Sequence, residues 1–323
     1  MQMVEVSVII PNYNGIQYLE TCLDALERQT LSEFRAILVD NGSADESVRL
    51  VREKYPQVQV VALPENTGFS GAVNAGIRAA DTPYVILLNN DTEVFPEFVE
   101  ALLAGIRERP LAFSCAAKMI QYYNRSRLDD AGNYYNALGW AYARGKDKSA
   151  DSYGKPARIF AACAGAAIYR VECLRHTGLF DEEHFVYLED LDLGYRARIA
   201  GYENWYLPEA RVYHVGSGTS GSRYNEFKIR YSSRNNIYMI WKNMPLFQWI
   251  LNLPFLLIGF GVKLLFFWKR GYGKEYAAGI KNGFSLIRKP ENRGKKVKFR
   301  WRNLKNYARI QVELWANLVR RFL

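Results

Sequence analysis

Residues 84–94 read YVILLNNDTEV, and this stretch decides the fold. Five apolar or aromatic residues, 84–88, run directly into Asn89, Asn90 and Asp91. A short apolar run of this kind predicts a strand that is buried on both faces of a sheet. In open α/β sheets, ligands bind beyond the carboxyl ends of such strands. Asn and Asp are also favoured in turns, so this stretch alone leaves a turn and a binding site equally open.

The sequence around this strand alternates between strand and helix patterns. Strands are predicted at residues 6–11, 34–40, 58–64 and 84–89, with helices at 16–29, 45–55, 70–80 and 96–107. This order predicts a parallel, doubly wound sheet with right-handed crossovers. Polar segments follow all four strands: PNYNG (11–15), DNGSAD (40–45), NTGFSG (66–71) and NND (89–91). Because these ends share one edge of the sheet, we expect a site for a polar, phosphate-bearing ligand there.

The composition of the chain limits its class. It has 323 residues, of which 49% are hydrophobic, enough for one large domain or two modest ones. The cysteines are widely spaced and form no C-x-x-C motif, which disfavours zinc and a disulfide framework: Cys22, Cys115, Cys163 and Cys173. The chain opens with a strand pattern and not with a basic and then apolar leader, so we expect no signal peptide and a reducing cytosol.

Charge divides the chain into a body and a basic tail. Residues 1–268 carry 27 Lys and Arg against 30 Asp and Glu, a net charge of −3, whereas residues 269–323 carry 16 against 3, a net charge of +13. We expect an anionic partner for the tail alone. The nearly neutral body and the apolar segment at 245–268 argue against a nucleic-acid partner.

Two segments of the tail have apolar patterns. Residues 245–268 hold few polar side chains, and Pro254, Gly259 and Gly261 are expected to break a straight helix there. Residues 301–322 predict a basic amphipathic helix of the interfacial type, with these residues on its apolar face: Trp301, Leu304, Ala308, Val312, Trp315, Val319 and Phe322. A single crossing would place the basic tail outside, so we expect an in-plane or re-entrant arrangement. The alternative is a soluble helical appendage that packs 245–268 into a homodimer interface.

Six stretches together resemble glycosyltransferase family 2, most closely its bacterial rhamnosyltransferase-like members. They are VSVIIPNYNG, ILVDNGSAD, NTGFSGAVNAGI, LLNNDTEV, FVYLEDLDLGYRARIAG and VYHVGSGT, in the family's order, and the resemblance spans residues 4–243. It implies an α/β GT-A fold, in which a Rossmann-like nucleotide-binding parallel sheet is fused to an acceptor-binding half. It also implies a dTDP- or UDP-sugar donor, a divalent Mg or Mn ion and inversion at the anomeric carbon. We therefore expect a nucleotide-sugar-binding half (1–118), an acceptor-binding and catalytic half (119–243) and a membrane-associating helical tail (244–323).

The resemblance assigns the donor contacts to eight residues: Pro11, Tyr13, Asp40, Gly68, Asn74, Asn89, Asn90 and Asp91. Asp40 would accept the imide N–H of uracil or thymine, although a turn is its alternative role. Gly68 and Gly71 would let the backbone approach the diphosphate. Asn74 faces either the nucleotide or solvent.

The metal ligands implied are Asp91 and His214. Asp91 matches the last Asp of the family's D-x-D element, and its carboxylate suits Mg²⁺ or Mn²⁺. Asn89 stands in place of the first Asp, which removes one anionic ligand and weakens the expected metal dependence. A lone His is commonly structural, but His214 lies where family members carry a metal-binding His.

Glu189 and Asp190 open a predicted helix that ends near Gly201. The resemblance assigns the general base to Asp190 and an acceptor hydroxyl contact to Glu189. Their alternative role is stabilisation of the helix N-terminus, and Asp192 is expected to cap this helix.

Residues 162–167 are expected either to line a sugar pocket or to form a tightly packed strand. Three residues contact the diphosphate or form a basic helix face: Arg230, Arg234 and Asn235.

The function expected is inverting transfer of a sugar, rhamnose or a related hexose, to a hydroxyl of a lipid-linked or polysaccharide acceptor. The site would lie at the cytoplasmic face of a bacterial inner membrane, on a peripheral or monotopic protein. One alternative is a catalytically inactive member that acts as a membrane-bound partner. Another is a sugar-phosphate nucleotidyltransferase, which needs a basic Gly-rich loop after strand one, where this chain has NYNG (12–15).

Overall fold

A computed structural model describes residues 4–216 and 224–321, so the end of the last motif and Phe322 lie outside the described residues. The strands are β1 (Val6–Asn12), β2 (Arg35–Asp40), β3 (Gln59–Ala62), β4 (Tyr84–Leu88), β5 (Thr92–Val94), β6 (Ala112–Gln121), β7 (Leu128–Asp130), β8 (Asn133–Tyr135), β9 (Ala141–Ala143), β10 (Ala157–Ile159), β11 (Ala166–Arg170) and β12 (Glu203–His214). The α-helices are α1 (Ile16–Glu27), α2 (Ser47–Lys54), α3 (Gly68–Ala79), α4 (Phe98–Arg107), α5 (Val171–Thr177), α6 (Glu189–Ile199), α7 (Glu226–Asn243), α8 (Leu246–Lys269), α9 (Gly273–Arg288) and α10 (Leu304–Arg320).

One sheet runs through both predicted halves, in the order β3-β2-β1-β4-β11-β6-β12-β10. Strands β1 to β4 are mutually parallel, which confirms the doubly wound unit predicted from the first third of the chain. Beyond β4 the sheet becomes mixed, because β11 pairs antiparallel with both β4 and β6. The predicted boundary at residue 118 falls inside β6, so the two halves share a strand.

Alternate side chains of the sheet point to opposite faces and belong to two separate hydrophobic cores. Ile9 of β1 belongs to the core packed by α3, α6 and α10, whereas Val8 and Ile10 belong to the core packed by α1 and α4. All five residues of β4 are buried, as the apolar run predicts for a central strand. The burial of β1 and β4 on both faces fixes their polar ends at one edge of the sheet.

Helix α8 is continuous over 24 residues, so the prediction that Pro254, Gly259 and Gly261 break the helix is wrong. Pro254 is tolerated inside it, and Gly259 is required by packing, because a Cβ there would lie 2.0 Å from the Leu138 carbonyl oxygen. Within the described ranges, α8 alone is long and apolar enough to cross a membrane, with a mean hydropathy of 2.1 and 17% of its most apolar window buried. Length and composition are weak grounds, since core helices of soluble proteins pass the same test.

Helix α10 has two different apolar faces. The buried face is formed by Tyr307, Ile310, Gln311, Leu314 and Asn317. The face predicted from sequence is exposed, with Trp301, Val312 and Val319 at 79%, 64% and 62% relative exposure. Helix α10 therefore packs on the body by one face and presents the other, apolar face outward.

Candidate active site

The polar strand ends form a hydrogen-bonded rim at one edge of the sheet. Asn12 joins three strands, because its amide donates to Asp40 Oδ1 (3.1 Å) and accepts from the Asn90 amide (2.7 Å). The Asn41 amide donates to Asn66 Oδ1 (2.9 Å) and accepts from the Thr67 backbone N–H (2.9 Å). These bonds hold the loops after β1, β2, β3 and β4 together and fix the shape of the crevice beyond them.

A cavity of about 950 Å³ opens beside this rim. Its walls include six of the eight residues predicted to bind the donor: Pro11, Tyr13, Gly68, Asn89, Asn90 and Asp91. His214, predicted as a metal ligand, lies in the same wall. The structure thus brings together seven predicted residues that are up to 203 positions apart in sequence, Pro11 and His214 being the extremes. We refer to this space as the donor cavity.

Asp40 and Asn74 are not among the residues that line the donor cavity. Asp40 is buried in the rim, where its second carboxylate oxygen accepts the Ser43 backbone N–H (3.1 Å) in a turn. Asn74 is 1% exposed, so it does not face solvent. Its amide donates to the Phe180 carbonyl (2.9 Å) and to Glu182 Oε1 (2.9 Å), which ties α3 to residues 180–182.

The backbone conformation and the packing around Gly68 require a glycine at this position. It adopts φ +76°, in the left-handed region that favours glycine, and a Cβ there would lie 2.5 Å from the Phe185 ring. Gly71 is likewise crowded by Thr67, at 2.4 Å from the threonine hydroxyl oxygen. The predicted role of these glycines in approaching a diphosphate therefore has a packing explanation in the structure.

Asp91 and His214 meet because of strand pairing. Strand β5, directly after Asp91, pairs antiparallel with β12 so that Thr92 lies opposite His214. His214 Nε2 then lies 3.3 Å from Asp91 Oδ1, and His214 Nδ1 lies 2.8 Å from Asp129 Oδ2. Burial alone would lower the pKa of His214, but hydrogen bonds to Asp129 and Asp91 and their charges outweigh it and raise the pKa to about 10.

The Asp91–His214 pair fits a divalent ion. Two neighbouring ligands of an ion with bonds of about 2.1 Å lie roughly 3 Å apart, close to the observed 3.3 Å. Because Nδ1 of His214 donates to Asp129, Nε2 is the ring nitrogen that is directed to such an ion, and the ion would have to displace the Nε2 proton that the raised pKa retains. The described residues contain no cluster of three His, Cys, Asp or Glu that could hold a metal. Two protein ligands are typical of ions that also bind substrate phosphates.

Asp190 lies in the wall of a second cavity of about 550 Å³, the acceptor cavity. The two cavities adjoin, since they share these wall residues: Phe69, Asn89, Val186, Tyr187 and Lys228. Asp190 Oδ2 accepts the Asn133 amide (3.0 Å), and Oδ1 accepts the Leu191 backbone N–H (2.7 Å). Burial raises the pKa of Asp190 to about 6, against hydrogen bonds that lower it. A carboxylate with this pKa can take up a proton near neutral pH.

Glu189 lines the same cavity, but unlike Asp190 it has a side-chain oxygen, Oε2, without a hydrogen-bond partner in the described residues. The Glu189 side chain is buried. Burial, with the neighbouring charge of Asp190, raises the pKa of Glu189 well above the usual value. A neutral Glu189 can donate a hydrogen bond into the cavity while an ionised Asp190 accepts one.

The loop before this pair is strained and is held by α7. Phe185, Tyr187 and Leu188 have positive φ values of 61°, 71° and 66°. The buried Asn235 amide donates to the carbonyls of residues 184, 186 and 187, at 2.7–2.8 Å. Arg234 donates to the carbonyls of residues 183 and 184 (2.7 and 2.9 Å). Arg234 and Asn235 therefore hold the backbone of residues 183–187 and do not form an exposed basic face, whereas Arg230 is exposed.

Asp192 does not cap α6, because it is fully buried and paired with cations. It accepts from Lys242 Nζ (2.9 Å) and Arg196 Nε (3.0 Å), and the N-cap position belongs to Leu188. Desolvation opposes ionisation of this carboxyl, but the charges of Lys242 and Arg196 hold the pKa of Asp192 far below its usual range. Its role is to anchor α6 to α7.

Small residues of the 162–167 stretch line the acceptor cavity, as predicted for a pocket: Cys163, Ala164 and Gly165. A Cβ on Gly165 would lie 2.9 Å from the Asn89 amide, so glycine leaves room for Asn89 between the cavities. Sequence reasoning missed Asn12, Asn133 and Asp129, which orient predicted residues. Asp129 lies in the pair of carboxylates at 129–130, but nothing in its spacing connects it to His214.

Comparison with known proteins agrees with this geometry. A profile described as "Glycosyl transferase family 2" matches residues 7–178, more than half of the chain. The chain is 26% identical over 239 residues to the N-acetylglucosaminyl-diphospho-decaprenol L-rhamnosyltransferase of Mycobacterium tuberculosis, covering 66% of this chain and 77% of the relative.

Solved structures show the same fold at lower identity. GalNAc-T7 with UDP, GalNAc and Mn²⁺ superposes with a TM-score of 0.61 at 17% identity, covering 75% of this chain but only 49% of GalNAc-T7. S. aureus TarS 1–349 in complex with UDP-GlcNAc gives a TM-score of 0.54 at 18% identity, covering 90% of this chain and 78% of the TarS chain. At such identities the likeness concerns the fold, here a mixed α/β sheet of the GT-A type.

Proposed function

Because the chain belongs to glycosyl transferase family 2 and is a glycosyltransferase, we propose that it transfers a sugar, rhamnose or a related hexose, from a UDP- or dTDP-sugar with inversion. The observation that carries this proposal is the adjacency of the two cavities, one beside Asp91 and His214 and the other beside Asp190. The M. tuberculosis relative is named for rhamnosyl transfer to a lipid-linked diphospho-sugar, and the two solved structures hold UDP or UDP-GlcNAc.

The chemistry follows from the positions of the carboxyl groups. Asp190, held by Asn133 and by the first turn of α6, takes the proton of the acceptor hydroxyl as that oxygen attacks the anomeric carbon. Neutral Glu189 donates a hydrogen bond that orients the acceptor. Because one base serves the acceptor and no nucleophile is assigned to the donor face, the configuration at the anomeric carbon inverts.

Asp91 and His214 are the residues that would hold Mg²⁺ or Mn²⁺, which when bound offsets negative charge on the departing nucleoside diphosphate. Asn89 lies between the cavities, 3.4 Å from His214 Nε2, as a neutral neighbour where family members have an Asp. GalNAc-T7 was solved with Mn²⁺. We propose that this chain uses a divalent ion but binds it weakly in the absence of nucleotide.

A nucleotide-sugar panel tests the donor and the base together. Thermal stabilisation and nucleoside diphosphate release are measured with UDP- and dTDP-sugars, with and without Mn²⁺ or Mg²⁺. We expect one donor to stabilise both the wild type and Asp190→Asn, and turnover to be lost only in the variant. If no nucleotide sugar binds under any condition, the donor assignment is wrong and the inactive-partner alternative gains support.

The tail attaches the enzyme to a membrane surface in this proposal. Helix α8 is fixed to the body along its length: Gln248 bonds Tyr195 and the Tyr307 carbonyl (3.0 and 3.1 Å), and Asn252 exchanges two 2.8 Å bonds with Gln311. Near its middle, Trp140 Nε1 donates to the Gly259 carbonyl (3.0 Å).

These contacts favour an in-plane helix over a spanning one. They span the twelve residues 248–259, or about 17 Å of helix, and a spanning α8 would carry the folded body into the bilayer. The outer face of α8 is apolar and exposed, including Leu246, Leu257 and Leu265 at 75%, 67% and 65%. We propose that this face and the exposed face of α10 rest on the cytoplasmic side of a bacterial inner membrane, where basic residues contact anionic lipid.

Liposome flotation tests this attachment. A full-length variant with Leu257→Glu and Leu265→Glu is compared with a control that carries Tyr123→Glu on the exposed surface of the body, where Tyr123 is 79% exposed. We expect the wild type and the control to float with anionic vesicles and the α8 variant to remain at the bottom. If all three remain in solution and the wild type sediments as a homodimer that the α8 variant disrupts, the dimer-interface alternative is correct.

A further inference from the structure

The acceptor cavity extends from the catalytic pair to the tail helices. Besides Glu189 and Asp190, its walls include Lys263 and Phe267 of α8 and Tyr276 of α9. On the same helix, Val262, Leu265 and Phe266 are exposed. Helix α8 thus lies between the acceptor cavity and the apolar surface that the proposed function places on a membrane.

Lys263 is a cation in an otherwise apolar part of α8. The 24 residues of the helix contain one other lysine, Lys269 at the last position, which is exposed. Lys263 is half-buried in the cavity wall, and within the described residues no carboxylate is paired with it. Burial and the positive charge of Arg321 lower the pKa of Lys263 to about 8. An ammonium in such a place is stabilised by a bound anion.

Tyr276 supplies an independent sign of a ligand. Its side chain is 3% exposed, and within the described ranges its hydroxyl has no hydrogen-bond partner. Buried hydroxyls without a partner are uncommon in folded proteins. Its ring lies 5.2 Å from that of Phe267, on the helix that carries Lys263. Both groups can donate hydrogen bonds, and both line the acceptor cavity.

We propose that Lys263 and Tyr276 form an anion subsite that binds the diphosphate of a lipid-linked saccharide acceptor. The saccharide then extends toward Asp190, and the lipid chain leaves along the apolar face of α8. The proposal rests on the proposed function, since it places the anion at the acceptor end of a glycosyltransferase site. It adds residues of the tail to the acceptor site and gives the tail a role in substrate recognition.

Binding of farnesyl diphosphate to the full-length protein tests the subsite. Isothermal titration is done with UDP or dTDP, whichever stabilises the protein, present at saturation with Mn²⁺ so that the donor cavity is filled. Farnesol and inorganic pyrophosphate are titrated in parallel to separate the contributions of lipid and anion. The variants are Lys263→Met, Lys263→Arg and Tyr276→Phe, with Lys269→Met and Tyr272→Phe as matched controls.

We expect Lys263→Met to raise the Kd of farnesyl diphosphate about tenfold or more and Tyr276→Phe about threefold or more, as for loss of charged and neutral hydrogen bonds. Lys263→Arg and both controls should keep a Kd for farnesyl diphosphate within about twofold of the wild type, and farnesol binding should be the same in all variants.

A wild-type Kd for farnesyl diphosphate in Lys263→Met, or farnesol binding as tight as farnesyl diphosphate binding, would overturn the subsite. Pyrophosphate binding as tight as farnesyl diphosphate would overturn its assignment to a lipid. If the nucleotide stabilises the protein but Lys263→Met and Tyr276→Phe bind farnesyl diphosphate as the wild type does, only this inference is rejected. If the nucleotide does not stabilise the protein, the proposed donor is rejected.

Discussion

Replacing Asn235 with alanine tests whether α7 holds the catalytic loop in its active shape. The loop from residue 185 to 188 carries three non-glycine residues at positive φ, each costing about 1–3 kcal/mol. The Asn235 amide opposes this strain by bonding three carbonyls of residues 184–187. Without it the loop is free to relax, and the Glu189–Asp190 pair that follows moves with it.

The size of the effect follows from the bonds lost. Removing the Asn235 amide leaves buried carbonyls without a donor, which costs the active loop roughly 1–3 kcal/mol. Since about 1.4 kcal/mol corresponds to a tenfold rate change, we expect kcat to fall by about 5- to 150-fold.

The assay is steady-state release of nucleoside diphosphate with the donor found by the panel. Thermal unfolding with and without nucleotide checks that Asn235→Ala folds and binds. The control is Asn306→Ala, because Asn306 also donates to a backbone carbonyl of α6, that of Ile199 (3.1 Å), but at the far end of the helix. A folded Asn235→Ala enzyme with kcat within about twofold of the wild type would refute this role of Asn235.

Other parts of the site give predictions of their own. Because a base must be ionised to accept a proton, kcat should fall about tenfold per pH unit below the Asp190 pKa of about 6, as measured in a pH profile at saturating substrates. Asp129→Asn should weaken Mn²⁺ binding about 10- to 100-fold in a nucleotide-dependent titration, because a neutral amide replaces the carboxylate that orients His214; unchanged affinity would remove Asp129 from the metal site. Lys242→Met should lower the free energy of unfolding by about 3–5 kcal/mol in urea, because Asp192 loses a buried cation.

The parallel half of the fold could be predicted because its signals are local. The run at 84–88 and the polar residues after it identify a central strand and its ligand-binding end within eleven letters of sequence. Asp190 and Glu189 were found by resemblance, and their position at the start of a helix follows from the same stretch. The structure brings six of the predicted donor residues into one cavity for the same reason: carboxyl ends of parallel strands meet at one edge.

What the sequence could not give depends on contacts between distant segments. Asp129 and His214 are separated by 85 positions, and Asn235 contacts a loop 48–51 positions before it. Helical periodicity identified the exposed face of α10 as apolar but gave no sign of the second face, whose polar members Gln311 and Asn317 bond within the interior. Side chains such as Asp192 and Asn74 look like surface or ligand residues until their partners are known.

The pairing of β12 with β5 has a consequence for how the protein is made. Asp91 lies in the first third of the chain, but its partner His214 lies on β12, the last strand in chain order. Strand β12 lies between β10 and β6 in the sheet. A growing polypeptide that has reached α6 already carries the proposed base, Asp190, but lacks His214, the histidine proposed to hold the ion. On the proposed assignment the ion site is complete only after β12 has joined the sheet, so we expect a product that ends before β12 to bind nucleotide sugar more weakly than the full chain.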